Sequence, residues 1–323
     1  MTKLIVEICQ NHTGKRELLG EMVRLAAENG ADYVKMQSIA SSSLTKRERF
    51  EEGVTQGDGT VLAFKRPYAP EYERLSKLDL SLEDHRYFIE ACAKNGVVPM
   101  TTVFTRDSVK EIGELPWPER IVKVTSFDCA SQPLLRELAP YFDRFIISTG
   151  ATYDEEIKAT ADVMNKLGKR FAFLHCVLCY PNTLEMAHLS RMEWLRGFTS
   201  EVGWSDHTLV ERDGLTTAKV AIYLGADYVE RHFTILGKSD TKDGPVSITP
   251  ALLKELSDFR YLQKEDQRQI LDREYPEWQN VLLGLPTRPM THMELLNRDY
   301  YRGRFASKVG DRIIYNWEDT PLA

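Results

Sequence analysis

Short apolar runs alternate with longer amphipathic segments along most of this chain. Runs at 4–9, 33–37, 97–104, 121–126, 145–149, 171–177, 201–205 and 228–233 each predict a strand. Helical periodicity falls between them, at about 15–29, 82–95, from 107, at about 131–139, 153–167, 188–196 and 212–224, and after Pro250. Asn29-Gly30 and Asn95-Gly96 read as helix C-caps, and Gly168 and Gly225 close two more helices. Asp107 suits an N-cap and Pro250 a first helical turn.

Eight strands alternating with eight helices predict an α/β fold, a (β/α)8 TIM barrel. The nearly continuous apolar strands fit parallel pairing with both faces covered. A doubly wound open sheet shares the alternation, but Gln10-Asn11-His12-Thr13-Gly14 after the first strand lacks the Gly-x-Gly-x-x-Gly turn of that fold. The barrel is expected to take residues 1–270, with a short irregular extension over 271–323. The polar passage 38–70 is too long for an ordinary strand-to-helix connection and reads as a functional loop or lid.

Composition narrows the function classes. With 42% hydrophobic and 28% charged residues, the 323-residue chain is an ordinary globular protein rather than a disordered one. A net charge of −6 offers no general attraction to nucleic acid or to an anionic membrane, so an anionic ligand needs a local cradle. No apolar run nears the ~20 residues of a membrane span. A strand begins at Leu4, which leaves no room for a signal peptide. The five cysteines are expected to be reduced and buried in a cytoplasmic protein. Cys176-x-x-Cys179 has redox or metal spacing but lacks a second pair, so packing is the simpler account. Trp117, between two prolines, reads as a loop anchor, and Thr13-Gly14 as a weak anion cradle.

Candidate chemistry collects at the carboxyl ends of the strands, where barrels react. His207 and His232 end the last two strands, with Asp206 and Asp243 near in sequence. Two neutral imidazoles side by side make a divalent-metal site; the alternative is two hydrogen-bonded core histidines. The earlier strand ends carry Glu7, Asn11, His12, Lys35, Gln37, Thr101, Thr102, Lys123, Ser126, Asp128, Ser148, Thr149, His175 and Tyr180, and the last two add Ser205 and Glu230. Glu7, Lys35 and Lys123 lie inside apolar strands, where an unpaired charge costs several kcal/mol. Either they pair with one another as a structural network, or the two lysines and neighbouring hydroxyls bind a phosphate and a carboxylate.

These strand ends resemble the N-acetylneuraminate (sialic acid) synthase family over about residues 3–260. The matching pieces are Glu-Ile-Cys-Gln-Asn-His-Thr-Gly at 7–14, Ala-Asp-Tyr-Val-Lys-Met-Gln at 31–37 and Thr-Thr-Val-Phe at 101–104. Val-Lys-Val-Thr-Ser at 122–126, Ile-Ser-Thr-Gly at 147–150, Leu-His-Cys at 174–176 and Tyr180-Pro181 continue the series. Gly-Trp-Ser-Asp-His-Thr at 203–208 and Glu-Arg-His-Phe-Thr at 230–234 complete it.

The resemblance implies a carbon–carbon bond-forming transferase of carbohydrate (nonulosonic acid) biosynthesis. It would condense phosphoenolpyruvate with an aldehyde sugar and release phosphate. By position, His207 and His232 correspond to the family's metal ligands, serving Mn2+, with Mg2+ or Co2+ as alternatives. Glu7 corresponds to the active-site glutamate, and Asp128 to a second acid that is usually glutamate. Lys35, Thr102, Lys123, Ser126, Ser148 and Ser205 fall where the family holds phosphoenolpyruvate. Gln37, Tyr180 and Asp243 fall where it meets the acceptor. A homodimer is implied as well.

Besides Asp128, two further departures qualify the match. Leu178 stands where the family has a phosphate-holding asparagine, and the chain ends before the antifreeze-like domain that gives the partner's sugar site an arginine. The C-terminal stretch Tyr300-Tyr301-Arg302-Gly303-Arg304-Phe305 either supplies Arg302 or Arg304 to a substrate site or is a solvated basic tail. Two rival readings remain open, a Schiff-base aldolase built on Lys123 or Lys35 and a non-catalytic barrel kept for ligand binding.

Overall fold

Successive side chains of a strand point to opposite faces, so an apolar run buried on both sides needs a packed layer inside and another outside. The computed structural model, which describes residues 1–322, meets this need with a closed barrel of eight parallel strands. They are β1 (Lys3–Cys9), β2 (Tyr33–Ser38), β3 (Val98–Val103), β4 (Ile121–Val124), β5 (Arg144–Ser148), β6 (Arg170–Cys176), β7 (Glu201–Asp206) and β8 (Tyr228–His232). Neighbours follow chain order, and β8 closes against β1. All eight lie within two residues of the sequence reading at each end.

The outer layer contains α1 (Arg16–Glu28), α2 (Leu82–Asn95), α3 (Val109–Gly113), α4 (Gln132–Leu138), α5 (Asp154–Lys166), α6 (Arg191–Arg196), α7 (Thr216–Tyr223) and α8 (Pro250–Arg260). Local signals set their ends. Ser81 and Asp84 form a capping box at the start of α2, and Gly96, at φ 71°, ends it in the left-handed conformation that glycine adopts freely. Thr249 caps α8 ahead of Pro250.

Two local expectations fail. Asp107 does not cap α3; its carboxylate accepts from the backbone N–H of Lys308, 3.1 Å away in the C-terminal part. The segment 212–224 is not one helix, because a turn at Gly214 (φ 56°) separates Val210–Asp213 from α7.

Alternation along the strands sorts the interior. On β1, Leu4, Val6 and Ile8 join the core between strands and helices, while Ile5 joins an apolar plug with Tyr33, Met100, Ile121, Ile146, Leu174 and Tyr228. Full burial of each large side chain contributes roughly 1.5–3 kcal/mol, so the plug makes a dry, rigid floor. Above the plug the inward positions turn polar.

The passage 38–70 is folded. It contains a turn at Ser41–Ser43, a helix at Glu48–Glu51 and a small hairpin of Val54–Thr55 with Val61–Ala63, and the helix Tyr68–Ser76 follows. After α9 (Lys264–Glu274) and α10 (Trp278–Leu282), the chain forms α11 (His292–Tyr301) and a hairpin of β9 (Ser307–Val309) and β10 (Arg312–Ile314). The passage and this last part interlock over the barrel mouth. The Arg47 guanidinium donates to the carbonyls of Tyr300 (2.5 Å), Asp299 (3.1 Å) and Arg302 (3.1 Å), and the Thr45 hydroxyl to that of Gly303 (2.6 Å). Phe305 packs on Phe104 and Leu44. Among the described residues no helix is long and apolar enough to cross a membrane.

Candidate active site at the carboxyl ends of the strands

A cavity of about 250 Å³ opens at the carboxyl ends of the strands. Strand register assembles its deepest layer. Glu7 pairs across to Lys35 on one side and to His232 on the other, and Glu230 lies two residues before His232 on the same face of β8. Lys35 forms an ion pair with Glu7 and lies 3.4 Å from Glu230, whose other oxygen is 3.2 Å from Lys123. The Lys123 ammonium also donates to the Ser148 hydroxyl at 2.7 Å. The charges therefore form the ion network that the sequence offers as one reading, and that network lines the cavity.

The network balances its own charge, with two lysines against two glutamates. Burial alone would raise the Glu230 carboxyl, but Lys123 and Lys35 outweigh it and hold the group below the usual carboxylate range. Burial pulls Lys35 below an ordinary ammonium, against the attraction of Glu230. The Glu7 carboxylate is further fixed by the backbone N–H of Cys9 at 2.6 Å.

Nearer the mouth stand His207 and His232, their ring centroids 5.2 Å apart. Burial drives His207 well below the ordinary imidazole value, with repulsion from His232 adding to it, and burial likewise lowers His232. Both are thus neutral rings with a lone pair to give. His232 Nδ1 is buried without a partner, while His207 Nδ1 lies 3.7 Å from Cys176 Sγ. Cys9 Sγ, a nitrogen of His232 and an oxygen of Asp243 all lie within 4.8 Å of one another. Neutral nitrogen, sulfur and carboxylate donors converging on a buried, unsatisfied imidazole fit a divalent transition-metal ion.

Gln37, Ser126, Ser148, Ser205 and Asp243 line the cavity with the ion network, as does Tyr180, whose ring meets His207 edge to face at 4.4 Å. Thr102 and Asp128 are not in its wall. Thr102 lies in register with Gln37 and Lys123 but is buried, its hydroxyl unpartnered. Asp128 accepts from Ser131 (2.9 Å) and from Asn316 of the C-terminal part (3.1 Å). Burial raises its carboxyl to about 6 in spite of those hydrogen bonds.

Asp206 also leaves the site. It faces the helix layer, paired with Arg231 at 2.5 Å and bonded to Thr208 and Thr217. His175 likewise turns outward, toward the Ala187 carbonyl. Thr13-Gly14 is no anion cradle, because Gly14 N–H is turned to His12 Nδ1 and its Cα packs on the Lys77 carbonyl. All five cysteines are free thiols, and Trp117 anchors its loop through the Ile112 carbonyl.

The structure adds wall residues that the strand-end reading does not place in the site. Cys9 is legible in principle, two residues along β1 from the predicted site residue Glu7. Arg66, Lys242 and Tyr301 come from loops and the C-terminal part, where no period points inward. Arg304 lines the cavity from its own chain and is buried, whereas Arg302 packs on Trp317. Of the two readings of that stretch, the solvated tail is excluded.

Comparison with known proteins joins this geometry to a family. The family model described as the NeuB family matches residues 22–266. The chain belongs to the NeuB family. An N,N'-diacetyllegionaminic acid synthase of Campylobacter jejuni is 30% identical over 272 residues, covering 81% of this chain and 77% of the relative. A synthase of the same name from Legionella pneumophila is 29% identical and covers 94% and 83%. Among solved structures, an N-acetylneuraminic acid (sialic acid) synthetase from Leptospira borgpetersenii in complex with citrate superposes with a TM-score of 0.66. It is 25% identical, with 87% of this chain and 92% of that one covered. The chain is therefore similar to synthases of nonulosonic acids both in sequence and in the barrel that carries the site.

Proposed function

We propose that the protein is a metal-dependent synthase that condenses phosphoenolpyruvate with an aldehyde sugar, giving a 2-keto-3-deoxy sugar acid and inorganic phosphate. The observation that carries this reading is one cavity in which two buried lysines, three serines and two glutamates lie beside a set of metal donors. Cys9, His232 and Asp243, with His207 adjacent, are the residues that would hold the metal. When bound, a divalent cation supplies positive charge against an anionic substrate and Lewis acidity at an aldehyde oxygen.

The chain's own groups then divide the work. Lys35 and Lys123, with the hydroxyls of Ser126, Ser148 and Ser205, hold the phosphate and carboxylate so that C3 of the enolpyruvate faces the aldehyde carbon. Gln37, Tyr180 and Asp243 orient the acceptor through its hydroxyls. As the C3–carbon bond forms, positive charge develops at C2 and is met by the Glu7 carboxylate, held in place by Lys35 and the Cys9 N–H. The former aldehyde oxygen takes a proton, and water adds at C2 and gives one up. The C2–O bond to phosphate then breaks. Arg66, Lys242 and Arg304 add positive charge at the mouth, which matters because the two inner lysines are already matched by two glutamates.

That matching also disfavours the Schiff-base alternative. Each lysine nitrogen is paired with a carboxylate, an arrangement that leaves no free amine lone pair aimed at a carbonyl. Phosphoenolpyruvate carrying heavy oxygen at the C2–O–P bridge separates the two. The label is expected to leave with inorganic phosphate. A pyruvyl–lysine adduct trapped by borohydride would contradict the proposal.

A further inference from the structure

The sequence offers two histidines as metal donors, but the donor atoms that the fold gathers around His232 belong to other residues. We propose that Cys9 is a thiolate ligand of the metal, completing with His232 and Asp243 a sulfur-containing site beside His207. The inference rests on the metal-dependent reading above and specifies which atoms serve it.

Three observations converge on Cys9. Its Sγ lies 3.0 Å from Asp243 Oδ2, and both atoms are within 4.8 Å of a ring nitrogen of His232. His232 is buried with Nδ1 unpartnered, so a ring nitrogen of this residue has hydrogen-bonding capacity that nothing in the chain satisfies. Cys9 itself sits at φ 50°, a left-handed conformation that costs a residue with a Cβ and persists only where the surroundings fix it. Here the fixing group is Glu7, which accepts from the Cys9 N–H. The β1–β2 register slips between Glu7 and Cys9, which falls opposite Met36, and with this irregularity the Cys9 side chain lines the cavity.

A thiol that only packed would be better placed in the apolar core, as Cys92 and Cys129 are. Cys9 instead faces the cavity, in line with a carboxylate and an imidazole. On metal binding the S–H bond is replaced by a sulfur–metal bond, and the proton leaves to solvent. A sulfur donor shifts preference toward Co2+ and Zn2+ relative to a site of nitrogen and oxygen alone.

Titration of the full-length metal-free protein with Co2+ under anaerobic conditions tests this by spectrum as well as affinity. One equivalent is expected to give visible ligand-field bands together with a near-ultraviolet thiolate-to-cobalt charge-transfer band. Cys9→Ser is expected to lose the charge-transfer band, keep the ligand-field bands and bind Co2+ at least about tenfold more weakly, the lower bound for groups that merely support a ligand. Cys9→Gly, which suits the left-handed backbone and should fold at least as well, is expected to show the same losses. Ligand-field bands alone in the wild type, or a charge-transfer band that survives both substitutions, would overturn the thiolate while leaving a metal site in place. Failure to bind Co2+ at all would overturn both the thiolate and the metal-dependent reading beneath it.

Discussion

At the scale of single residues, what matters is which buried charges are committed to the fold and which remain for a ligand. Asp128 belongs to the first kind. Its carboxyl is raised from 3.8 to about 6 because burial outweighs its hydrogen bonds from Asn316, Ser131 and Thr125. The folded state thus favours the neutral form, so stability that is complete below about pH 4 is lost as pH rises toward 6. The loss is on the order of 3 kcal/mol, since a carboxyl ionising at about pH 6 instead of 3.8 forgoes about 1.4 kcal/mol per pH unit across that interval. Asp128→Asn cannot ionise, and its stability relative to wild type is expected to grow from pH 4 to pH 6 and then level off. Urea unfolding across that range measures it; parallel curves for the two proteins would show that Asp128 carries no such burden.

Asp128 also marks where the sequence stops being legible. Glu7, Lys35, Gln37, Lys123, Ser148, Ser205, Glu230 and His232 all follow from period-two alternation on strands whose predicted ends lie within two residues of the observed ones. Asp128 lies just past the end of β4, in a turn where alternation no longer applies, and its partner Asn316 is 188 positions away. Asp206 fails for a different reason. It is on a strand, but at the parity that faces the helices, so nearness to His207 in sequence put it on the wrong side.

At the scale of elements, the cap over the mouth was the least legible part. Length and polarity marked 38–70 as something other than a connection, yet nothing in its pattern named α11 and the segment after it as its partner. The bonds that join them run from side chains to backbone carbonyls, such as Arg47 to Asp299 and Thr45 to Gly303, and leave no pairwise trace in the sequence. Their consequence is that Arg304 reaches the cavity, held by the Glu71 carboxylate that also takes Arg74 at 3.0 Å. If the cap forms the acceptor's side of the site, Arg304→Ala is expected to raise KM for the aldehyde roughly 10–100-fold, the cost of one charged hydrogen bond. KM for phosphoenolpyruvate should stay within about twofold. An equal rise in both constants would mean that the substitution disturbs the whole mouth, and no rise in either would remove Arg304 from the acceptor's side.

At the scale of the molecule, the barrel fixes the relation between the parts. The apolar plug closes the lower end, the charged layer rests on it, and the donors and the cap face each other across the opening. Closure was an inference from the count of strands. It becomes necessary once β8 pairs with β1, because only that contact sets His232 opposite Glu7 and next to Cys9. Phosphate release across a panel of aldehyde sugars asks whether this mouth joins phosphoenolpyruvate to an aldehyde with the help of a metal. With Mn2+ or Co2+ present, phosphate release is expected to depend on one aldehyde class, to match the formation of a 2-keto acid one for one, and to stop on chelation. Release that is indifferent to chelator and aldehyde, or tight binding of metal and phosphoenolpyruvate with no phosphate from any aldehyde, would contradict it.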